Sequence, residues 1–466
     1  MRSVGILTLA LLLTTSPPLH SQFIDPLDAE FTELDAKLDT QFIQQDMLLE
    51  QRFQQVKQAV ENAYKGLTDK IVVNWHSDIQ MPDAQSWTTY DDSFTSRAKF
   101  DFSRGVYQVE TLVEQDVSNS LLKLKAFAAQ IATSNSTQLR QADVFEQTLQ
   151  QELQQSGYVP AMFEQPDVTL DPYTEVSKLL AKDTATLIAA VDLSQVQSQS
   201  PSVAPAVDNT PSGTQRQSET LDNNTSDTLV STNISAQDQA AGSDTLSSLS
   251  SDPSDTIPGS SAVSLVLASE ANVTKLVLTI PFINRYQQNL FESKLDIVKK
   301  LAQQYQLDVS LILAVIETES SFNPLAISPI PAFGLMQLVP NTAGIDAYQY
   351  LYGERHIVSP EYLFDQHNNL LLGTTYLHLL SQRYLRDIED KQSKLYCILA
   401  SYNTGVGNVA RTFVAQKNLK LAIAKINSLA PEQIYQQLMA NLPAEETKQY
   451  LLKVLARKQK YASFDL

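Results

Sequence analysis

Apolar residues recur at helical spacing in the first part of the chain. Between residues 27 and 64 they fall mostly three or four positions apart, with Glu, Gln, Lys and Asp between them. The apolar positions are Leu27, Phe31, Leu34, Leu38, Phe42, Leu49, Phe53, Val56 and Val60. The pattern predicts one long amphipathic helix that packs against its own domain. A coiled-coil partner is the less favoured alternative, because the spacing drifts between Gln44 and Met47.

The pattern then changes to one typical of strands. Residues 71–75 form a short apolar run, and the segments 94–102 and 106–113 flank a three-residue connection that ends in Gly105. Glycine allows the positive φ that a hairpin connection needs. Residues 121–153 return to helical spacing. We therefore predict an α+β region with a small antiparallel sheet.

Residues 195–263 differ in composition from the rest of the chain. Ser, Thr, Asp, Gln, Asn and Pro dominate, and no aromatic residue occurs between Tyr173 and Phe282. Such a stretch buries too little apolar surface to offset the entropy of ordering it, so it is predicted to be a flexible tether. The alternating segment 273–280 is predicted to be a strand that rejoins the earlier sheet.

The chain of 466 residues is long enough for two domains with separate cores. We expect a signal peptide over 1–21, an accessory domain over 22–194 and a disordered insert over 195–263. A returning strand and a connection follow over 264–288. Residues 289–466 read almost entirely as helices with short loops.

The first residues are typical of an export signal. Arg2 precedes an apolar stretch from Val4 to Leu13, which is too short to cross a bilayer. We therefore expect a periplasmic protein. No cysteine follows the signal segment to carry a lipid, and the single cysteine, Cys397, lies in an apolar run typical of the core.

The formal net charge of -18 argues against nucleic acid as a partner. It does not exclude sugar polymers, which are held mainly by hydrogen bonds and apolar contacts. The histidines outside the signal segment, His76, His356, His367 and His378, lack the spacing of metal ligands. No phosphate-binding glycine loop occurs, so we expect neither a metal nor another cofactor.

Glu319 is the strongest candidate for catalysis. It continues the apolar stripe of Ile312, Val315 and Ile316 on a helix predicted to end before Pro324. The negative end of the helix dipole and the apolar neighbours both disfavour the ionised carboxylate. We therefore expect a raised pKa, as a general acid near neutral pH requires.

The same helix is predicted to begin at the N-cap Asp308. Glu317 lies on the opposite face from Glu319 and is predicted to be solvated. Hydrolysing glycosidases normally need a second carboxylate near the acid. No second acid stands out for that role in the segments that carry the other candidate residues. This absence favours a reaction in which the substrate supplies its own nucleophile.

Five motifs, taken in order, resemble those of the family 1 lytic transglycosylases. They are Glu319-Ser320-Ser321-Phe322-Asn323-Pro324, Gly334-Leu335-Met336-Gln337, Asn369 with Gly373-Thr374-Thr375-Tyr376-Leu377, Ser401-Tyr402-Asn403-Thr404-Gly405, and Glu446-Thr447-Lys448-Gln449-Tyr450. Residues 96–113 and 274–281 resemble the accessory domain of the membrane-bound lytic murein transglycosylase C group. The resemblance implies a lysozyme-like, mostly α-helical catalytic domain after residue 289.

The resemblance also implies a reaction on the glycan strands of peptidoglycan. The β-1,4 bond between N-acetylmuramic acid and N-acetylglucosamine would break without water. Glu319 would protonate the glycosidic oxygen, and the acetamido group of the substrate would stabilise the oxocarbenium-like centre. The ionised Glu319 would then take the proton of the C6 hydroxyl, which closes a 1,6-anhydro ring.

The resemblance adds six substrate-binding candidates: Ser320, Met336, Gln337, Tyr402, Asn403 and Glu446. Gln337 would bind the sugar, and Met336 would line the cleft. Tyr402 would form hydrogen bonds near Glu319, with Asn403 beside it. Ser320 would help to hold Glu319 or the substrate.

Glu446 would support the segment that carries Tyr402 and Asn403. Asn369 and Tyr376 are expected to serve in capping and packing instead of binding. Residues 328–333 depart from the family pattern, because two prolines replace a polar turn with Gly. They are predicted to stiffen the approach to the binding residues.

Two other functions remain open. A lysozyme-like hydrolase on the same scaffold would use water as the nucleophile. A non-catalytic peptidoglycan-binding protein would keep the fold, and the long helix and the insert suit that role. The combination of Glu319, Gln337 and Tyr402 argues against the second alternative.

Overall fold

The computed structural model describes residues 26–160, 171–198, 263–270 and 272–465. The predicted signal segment 1–21 lies outside the described residues. Across the described ranges, none of the helices combines the length and the apolar composition that a membrane span requires. The fold is α+β, as predicted, with one sheet in the first part of the chain and helices throughout the second.

Six strands form that sheet. They are β1 (Ser86–Tyr90), β2 (Ser96–Asp101), β3 (Val106–Leu112), β4 (Val196–Ser198), β5 (Ser264–Glu270) and β6 (Val273–Pro281). Their spatial order is β1-β2-β3-β6-β5-β4, and every pair is antiparallel except β4 with β5. The predicted hairpin is confirmed, since β2 pairs with β3 and Gly105 has a φ of 68°. The predicted strand over 273–280 also rejoins the sheet, beside β3.

The predicted insert begins within this sheet. Residues 196–198, which were assigned to the tether, form the edge strand β4 against β5. Residues 199–262 lie outside the described residues, so their flexibility remains a prediction.

Six helices accompany the sheet within the described part of the first region. They are α1 (Pro26–Trp75), α2 (Val117–Thr133), α3 (Ser136–Ala142), α4 (Val144–Gln155), α5 (Pro172–Val176) and α6 (Thr184–Ala190). The predicted long helix is confirmed and extends past residue 64. The predicted helical segment 121–153 is confirmed as well, divided among α2, α3 and α4.

The predicted strand over residues 71–75 is wrong, because these residues form the last turns of α1. Leu67, Ile71 and Trp75 are buried at helical spacing, whereas Val72 and Val73 are exposed. The helix stripe therefore continues through the apolar run and buries the end of α1 in the core of the first region. Burial on one helix face decided the structure here, against the strand preference of Val and Ile.

A mostly helical domain follows the sheet. Its helices are α7 (Tyr286–Tyr305), α8 (Val309–Ser320), α9 (Ile345–Tyr352), α10 (Pro360–Phe364), α11 (Gln366–Leu379), α12 (Lys391–Thr404), α13 (Val406–Phe413), α14 (Leu419–Ile426), α15 (Pro431–Asn441) and α16 (Glu445–Lys460). Asp308 is the N-cap of α8, as predicted. Cys397 is buried, and burial raises the pKa of its thiol to about 12.

The two regions share one continuous hydrophobic core. At their boundary, the fully buried Lys294 Nζ lies 2.6 Å from Glu175 Oε2, and Tyr286 Oη donates to the Phe102 carbonyl at 3.2 Å. The buried Asn323 amide also donates to the Ala84 carbonyl at 3.3 Å. This last bond holds the loop before β1 against the segment that follows α8.

Candidate active site

A cavity of about 1010 Å³ opens between the end of α8, the start of α16 and the loop over 328–343. Ala84 and Gln85 of the first region form part of its wall. The motif residues that line it are Glu319, Gln337, Tyr376, Tyr402, Asn403, Thr404, Gly405, Glu446, Thr447, Gln449 and Tyr450. Five of the seven predicted site residues therefore meet in one place, although more than 120 positions separate the first from the last.

Glu319 occupies the last turn of α8, where its side chain is partly buried. The pKa of its carboxyl group is raised to about 8, mainly by burial. The Tyr450 hydroxyl lowers this pKa, and the Glu446 carboxylate contributes to raising it. The expected direction of the shift is confirmed. The carboxyl group therefore carries a proton at neutral pH, as a general acid must.

Tyr402, on α12, lies beside Glu319. Its hydroxyl donates to the Met336 carbonyl at 2.9 Å, and its ring centroid is 5.6 Å from that of Tyr376. Burial and the neighbouring Glu319 both raise the pKa of Tyr402. The phenol is therefore neutral, and its oxygen can accept a hydrogen bond from a ligand while its own proton is committed to the backbone.

Tyr450 is a site residue that the sequence reasoning missed. Its hydroxyl is buried next to the Glu319 carboxyl, and it forms no hydrogen bond of normal geometry with any described residue. It follows Glu446 by four positions, so both side chains project from the same face of α16. That spacing within the fifth motif was the signal that could have identified it.

Gln337 has a left-handed backbone, with a φ of 46°. Its side-chain Nε2 donates to the Gly334 carbonyl at 3.1 Å, and its backbone N–H donates to the same oxygen at 3.0 Å. No other described residue donates to the side-chain oxygen, which is available to accept from a sugar hydroxyl. Gly334 is required at this turn, because a Cβ there would come within 2.4 Å of the Asn369 amide.

Neither Ser320 nor Met336 lines the cavity. Met336 was expected to line it, whereas Ser320 was expected to hold either Glu319 or the substrate. The Ser320 hydroxyl is buried and donates to the Leu335 carbonyl at 2.8 Å, which joins the end of α8 to the loop that carries Gln337. The Met336 side chain is also buried, with its sulfur against Gly373. Neither side chain is accessible to a substrate. Both residues therefore support the wall of the cavity from behind.

The expected role of Glu446 also needs correction. Thr447, its neighbour, supports the Asn403 segment, because the Thr447 hydroxyl donates to Asn403 Oδ1 at 2.7 Å. Glu446 is exposed and faces the cavity. Its charge acts on Glu319. The expectation that no second carboxylate stands near the acid is therefore wrong.

Glu317 is not the solvated residue that its helix position predicts. Its side chain is only 12% exposed, and Oε1 lies 3.1 Å from Lys460 Nζ and 3.5 Å from Arg457 Nε. It does point away from the cavity, as expected from its spacing relative to Glu319. The α16 helix, which packs along α8, covers the face that the sequence alone leaves open.

The two-proline segment forms the rim of the cavity. Ser328 donates its backbone N–H to the Ala332 carbonyl at 3.1 Å, and Ile330 at the tip is 78% exposed. Ser328, Pro329, Ile330 and Ala332 all line the opening. The segment therefore places an apolar side chain where a polar turn was expected from the family pattern.

A second cavity, of about 590 Å³, lies at the boundary of the two regions. It is lined by side chains such as Trp87, Arg140, Tyr173 and Glu361 and contains none of the motif residues. Among the described residues, no group of three or more His, Cys, Asp or Glu side chains could hold a metal ion.

Two family models match the chain. Residues 296–424 match the Transglycosylase SLT domain, and residues 53–159 match the Membrane-bound lytic murein transglycosylase C, N-terminal domain. The resemblance predicted from the motifs is confirmed. The SLT match covers the segments that supply Glu319, Gln337 and Tyr402, whereas Glu446 and Tyr450 lie beyond its last residue.

Curated relatives carry the description membrane-bound lytic murein transglycosylase C. A Membrane-bound lytic murein transglycosylase C of Haemophilus influenzae (strain PittEE) is 40% identical over 184 residues, which is 40% of this chain and 51% of the relative. That of Yersinia pestis (strain Pestoides F) is 39% identical over 187 residues, with the same two shares. The chain thus spans about half the length of the curated relatives it matches.

Among solved structures, the 70 kDa soluble lytic transglycosylase of Escherichia coli is 24% identical to this chain. The match covers 36% of this chain and 24% of that one, with a TM-score of 0.28.

Proposed function

We propose that this protein is a peptidoglycan lytic transglycosylase of the cell envelope. It cleaves the β-1,4 bond between N-acetylmuramic acid and N-acetylglucosamine and leaves 1,6-anhydromuramic acid ends. The observation that carries the proposal is the raised pKa of Glu319 within a cavity shared with Gln337, Tyr402 and Tyr450. The matching SLT domain and the relatives named above support the substrate class.

Glu319 acts first as an acid and then as a base. Its proton goes to the glycosidic oxygen as the bond to the muramoyl C1 breaks. The acetamido group of the substrate stabilises the positive charge that develops at C1. The Glu319 carboxylate then accepts the proton of the C6 hydroxyl as that oxygen bonds to C1. Glu319 is protonated again at the end, and no water is consumed.

The surrounding side chains serve this cycle. Tyr450 faces the carboxyl group and donates a hydrogen bond to it when it is ionised, which stabilises the intermediate state. Gln337 and Asn403 bind sugar hydroxyl or acetamido groups, and Tyr402 accepts a hydrogen bond from the strand. Ser320 and Met336 hold the loop and helix end that carry these groups.

A hydrolase is the second candidate, and one observation favours it. Glu446 faces the same cavity as Glu319, and two carboxylates across a sugar strand are the arrangement that glycoside hydrolysis uses. Its exposure argues against that role, because a base that activates a single water is normally shielded from bulk solvent. A non-catalytic binding protein would not require an acid held in its protonated form.

We also propose export to the periplasm, with the first 21 residues as a signal peptide. The relatives' description as murein enzymes supports an envelope location. The domain division into 22–194, 195–263, 264–288 and 289–466 is likewise proposed.

Replacement of the acid tests the proposal. Glu319→Gln keeps the shape of the side chain but carries no transferable proton, so the release of soluble fragments from purified peptidoglycan should fall by about 10² to 10⁴-fold. The matched control is Glu432→Gln, on the exposed first turn of α15 and away from the cavity. Equal activity in Glu319→Gln and the wild type would remove Glu319 from the reaction.

A further inference from the structure

One face of α16 connects the cavity to the end of α8. Glu446, Tyr450, Lys453, Arg457 and Lys460 follow one another at steps of four, three, four and three residues, so their side chains form a single stripe. The first three line the cavity, and the last two lie beyond it. The stripe runs along α8 and therefore meets both the acid and the turn that carries it.

Arg457 binds the two residues that immediately precede the acid. Its Nη1 donates to Thr318 Oγ1 at 2.9 Å, and its Nε lies 3.5 Å from Glu317 Oε1. The Thr318 hydroxyl donates a hydrogen bond to the Ala314 carbonyl at 2.7 Å, so it acts as both acceptor and donor. Lys460 Nζ adds a second cation to Glu317, at 3.1 Å.

These contacts lie where α8 ends. The helix closes at Ser321, in the left-handed conformation with a φ of 51°, directly after the turn that holds Glu319. Such a terminal turn lacks the following hydrogen bonds of a helix interior and frays easily. A cation bound there also interacts favourably with the negative end of the helix dipole.

We propose that Arg457 is a positioning residue for the reaction. Its guanidinium group binds Thr318 and Glu317 and so fixes the last turn of α8. The Glu319 carboxyl on that turn then stays opposite Tyr450, which lies on α16 like Arg457. Arg457 is not among the residues that line the cavity, so it acts on the reaction only through Thr318 and Glu317. The planar guanidinium reaches both partners at once, which an ammonium group at the end of a single chain does less well. The inference rests on the proposed function of Glu319.

Lys458 provides a matched control on the next position of α16. Its Nζ lies 2.8 Å from Asp308 Oδ2, so it joins the same two helices at the opposite end of α8. The two side chains are similarly exposed, at 26% for Arg457 and 21% for Lys458. Loss of either one removes a link between α16 and α8, but only Arg457 acts on the turn with the acid.

The experiment compares Arg457→Gln, Arg457→Lys and Lys458→Gln on purified peptidoglycan. For Arg457→Gln we expect kcat to fall by about 10 to 100-fold while KM changes less than about twofold, since the acid is misplaced but the binding surface is intact. Arg457→Lys should recover part of the lost kcat. Lys458→Gln should keep kcat within about twofold of the wild type, although its melting temperature falls about as much as that of Arg457→Gln.

Equal losses of kcat in Arg457→Gln and Lys458→Gln would show that both act only through stability and would overturn the inference. Wild-type kcat in Arg457→Gln would also overturn it. If Arg457→Gln does not fold, wild-type kcat in Arg457→Lys would overturn it instead. Failure of the proposed function is separate, because it would appear in the wild-type protein as the absence of 1,6-anhydro products.

Discussion

At the scale of single residues, the account depends on how the charge of Glu319 is balanced. Burial and the Glu446 carboxylate favour its protonated form, and the Tyr450 hydroxyl favours the ionised form. An acid that later acts as a base needs both influences, because it must hold a proton before the bond breaks and accept one afterwards. Burial therefore sets the main part of the shift, and the residue pair on α16 adjusts the pH range of the reaction.

This balance predicts how the pH profile responds to Glu446→Gln. The basic limb of the wild-type profile should fall near pH 8, where Glu319 loses its proton. The Glu446 carboxylate raises the pKa of Glu319, so its replacement by a neutral amide should move that limb to lower pH. The measurement is the rate of fragment release against pH. Glu445→Gln, one position away and outside the cavity, should leave the limb in place.

An unshifted basic limb in Glu446→Gln would show that Glu446 does not act on the acid. A different result would assign Glu446 to hydrolysis. If Glu446→Gln lost all activity and the wild-type protein released products with reducing ends, Glu446 would serve as a base or nucleophile.

The sequence identified Glu319 because one helix face was enough to place it. The apolar stripe of α8 and the following proline indicated both its burial and its position at a helix end, and its raised pKa followed. Tyr450 and Glu446 reach it from a helix more than 120 positions later in the chain. Helical spacing shows which α16 residues share a face but not which neighbour that face meets, so their contacts with Glu319 needed the structure.

At the scale of elements, the wall of the cavity depends on Asn369 in α11. Its fully buried side chain donates to the Phe333 and Leu363 carbonyls, each at 2.8 Å, and accepts from the Met336 N–H at 2.8 Å. These bonds fix the turn that presents Gln337. The expectation that Asn369 is a structural residue agrees with these contacts.

Asn369→Ala should therefore destabilise the protein strongly. It removes three hydrogen bonds to buried backbone groups, of which the Phe333 carbonyl keeps a bond from the Leu338 N–H at 3.1 Å. The loss costs on the order of 3 kcal/mol in the free energy of unfolding. Asn368→Ala is the matched control, since the side-chain nitrogen of Asn368 is buried without a partner among the described residues and its removal should cost less. Chemical denaturation measures both, and equal losses would contradict the anchoring role.

Element types followed from spacing where a single periodicity was present, as in α1, α8 and the hairpin of β2 and β3. The assignment failed at residues 71–75, where β-branched residues continue a helix stripe. A run of five residues cannot distinguish the two periods by itself. The apolar position Leu67, four residues before Ile71, continues the helical spacing and would have indicated a helix.

At the scale of the whole molecule, the first region contributes to the cavity of the second. Ala84 and Gln85 line it, and the Asn323 amide fixes that loop at the end of the motif that begins with Glu319. The sequence indicated that β6 returns to the first sheet, but it did not indicate this shared wall. The wall places both regions beside the proposed path of a glycan strand.

The chemical nature of the new chain ends tests the central proposal most directly. Intact sacculi are digested with the wild-type protein, and the soluble products are separated and weighed by mass spectrometry. Our account predicts muramic ends in the 1,6-anhydro form, which do not react with borohydride. Products heavier by one water molecule, with reducing ends, would contradict it and establish hydrolysis instead.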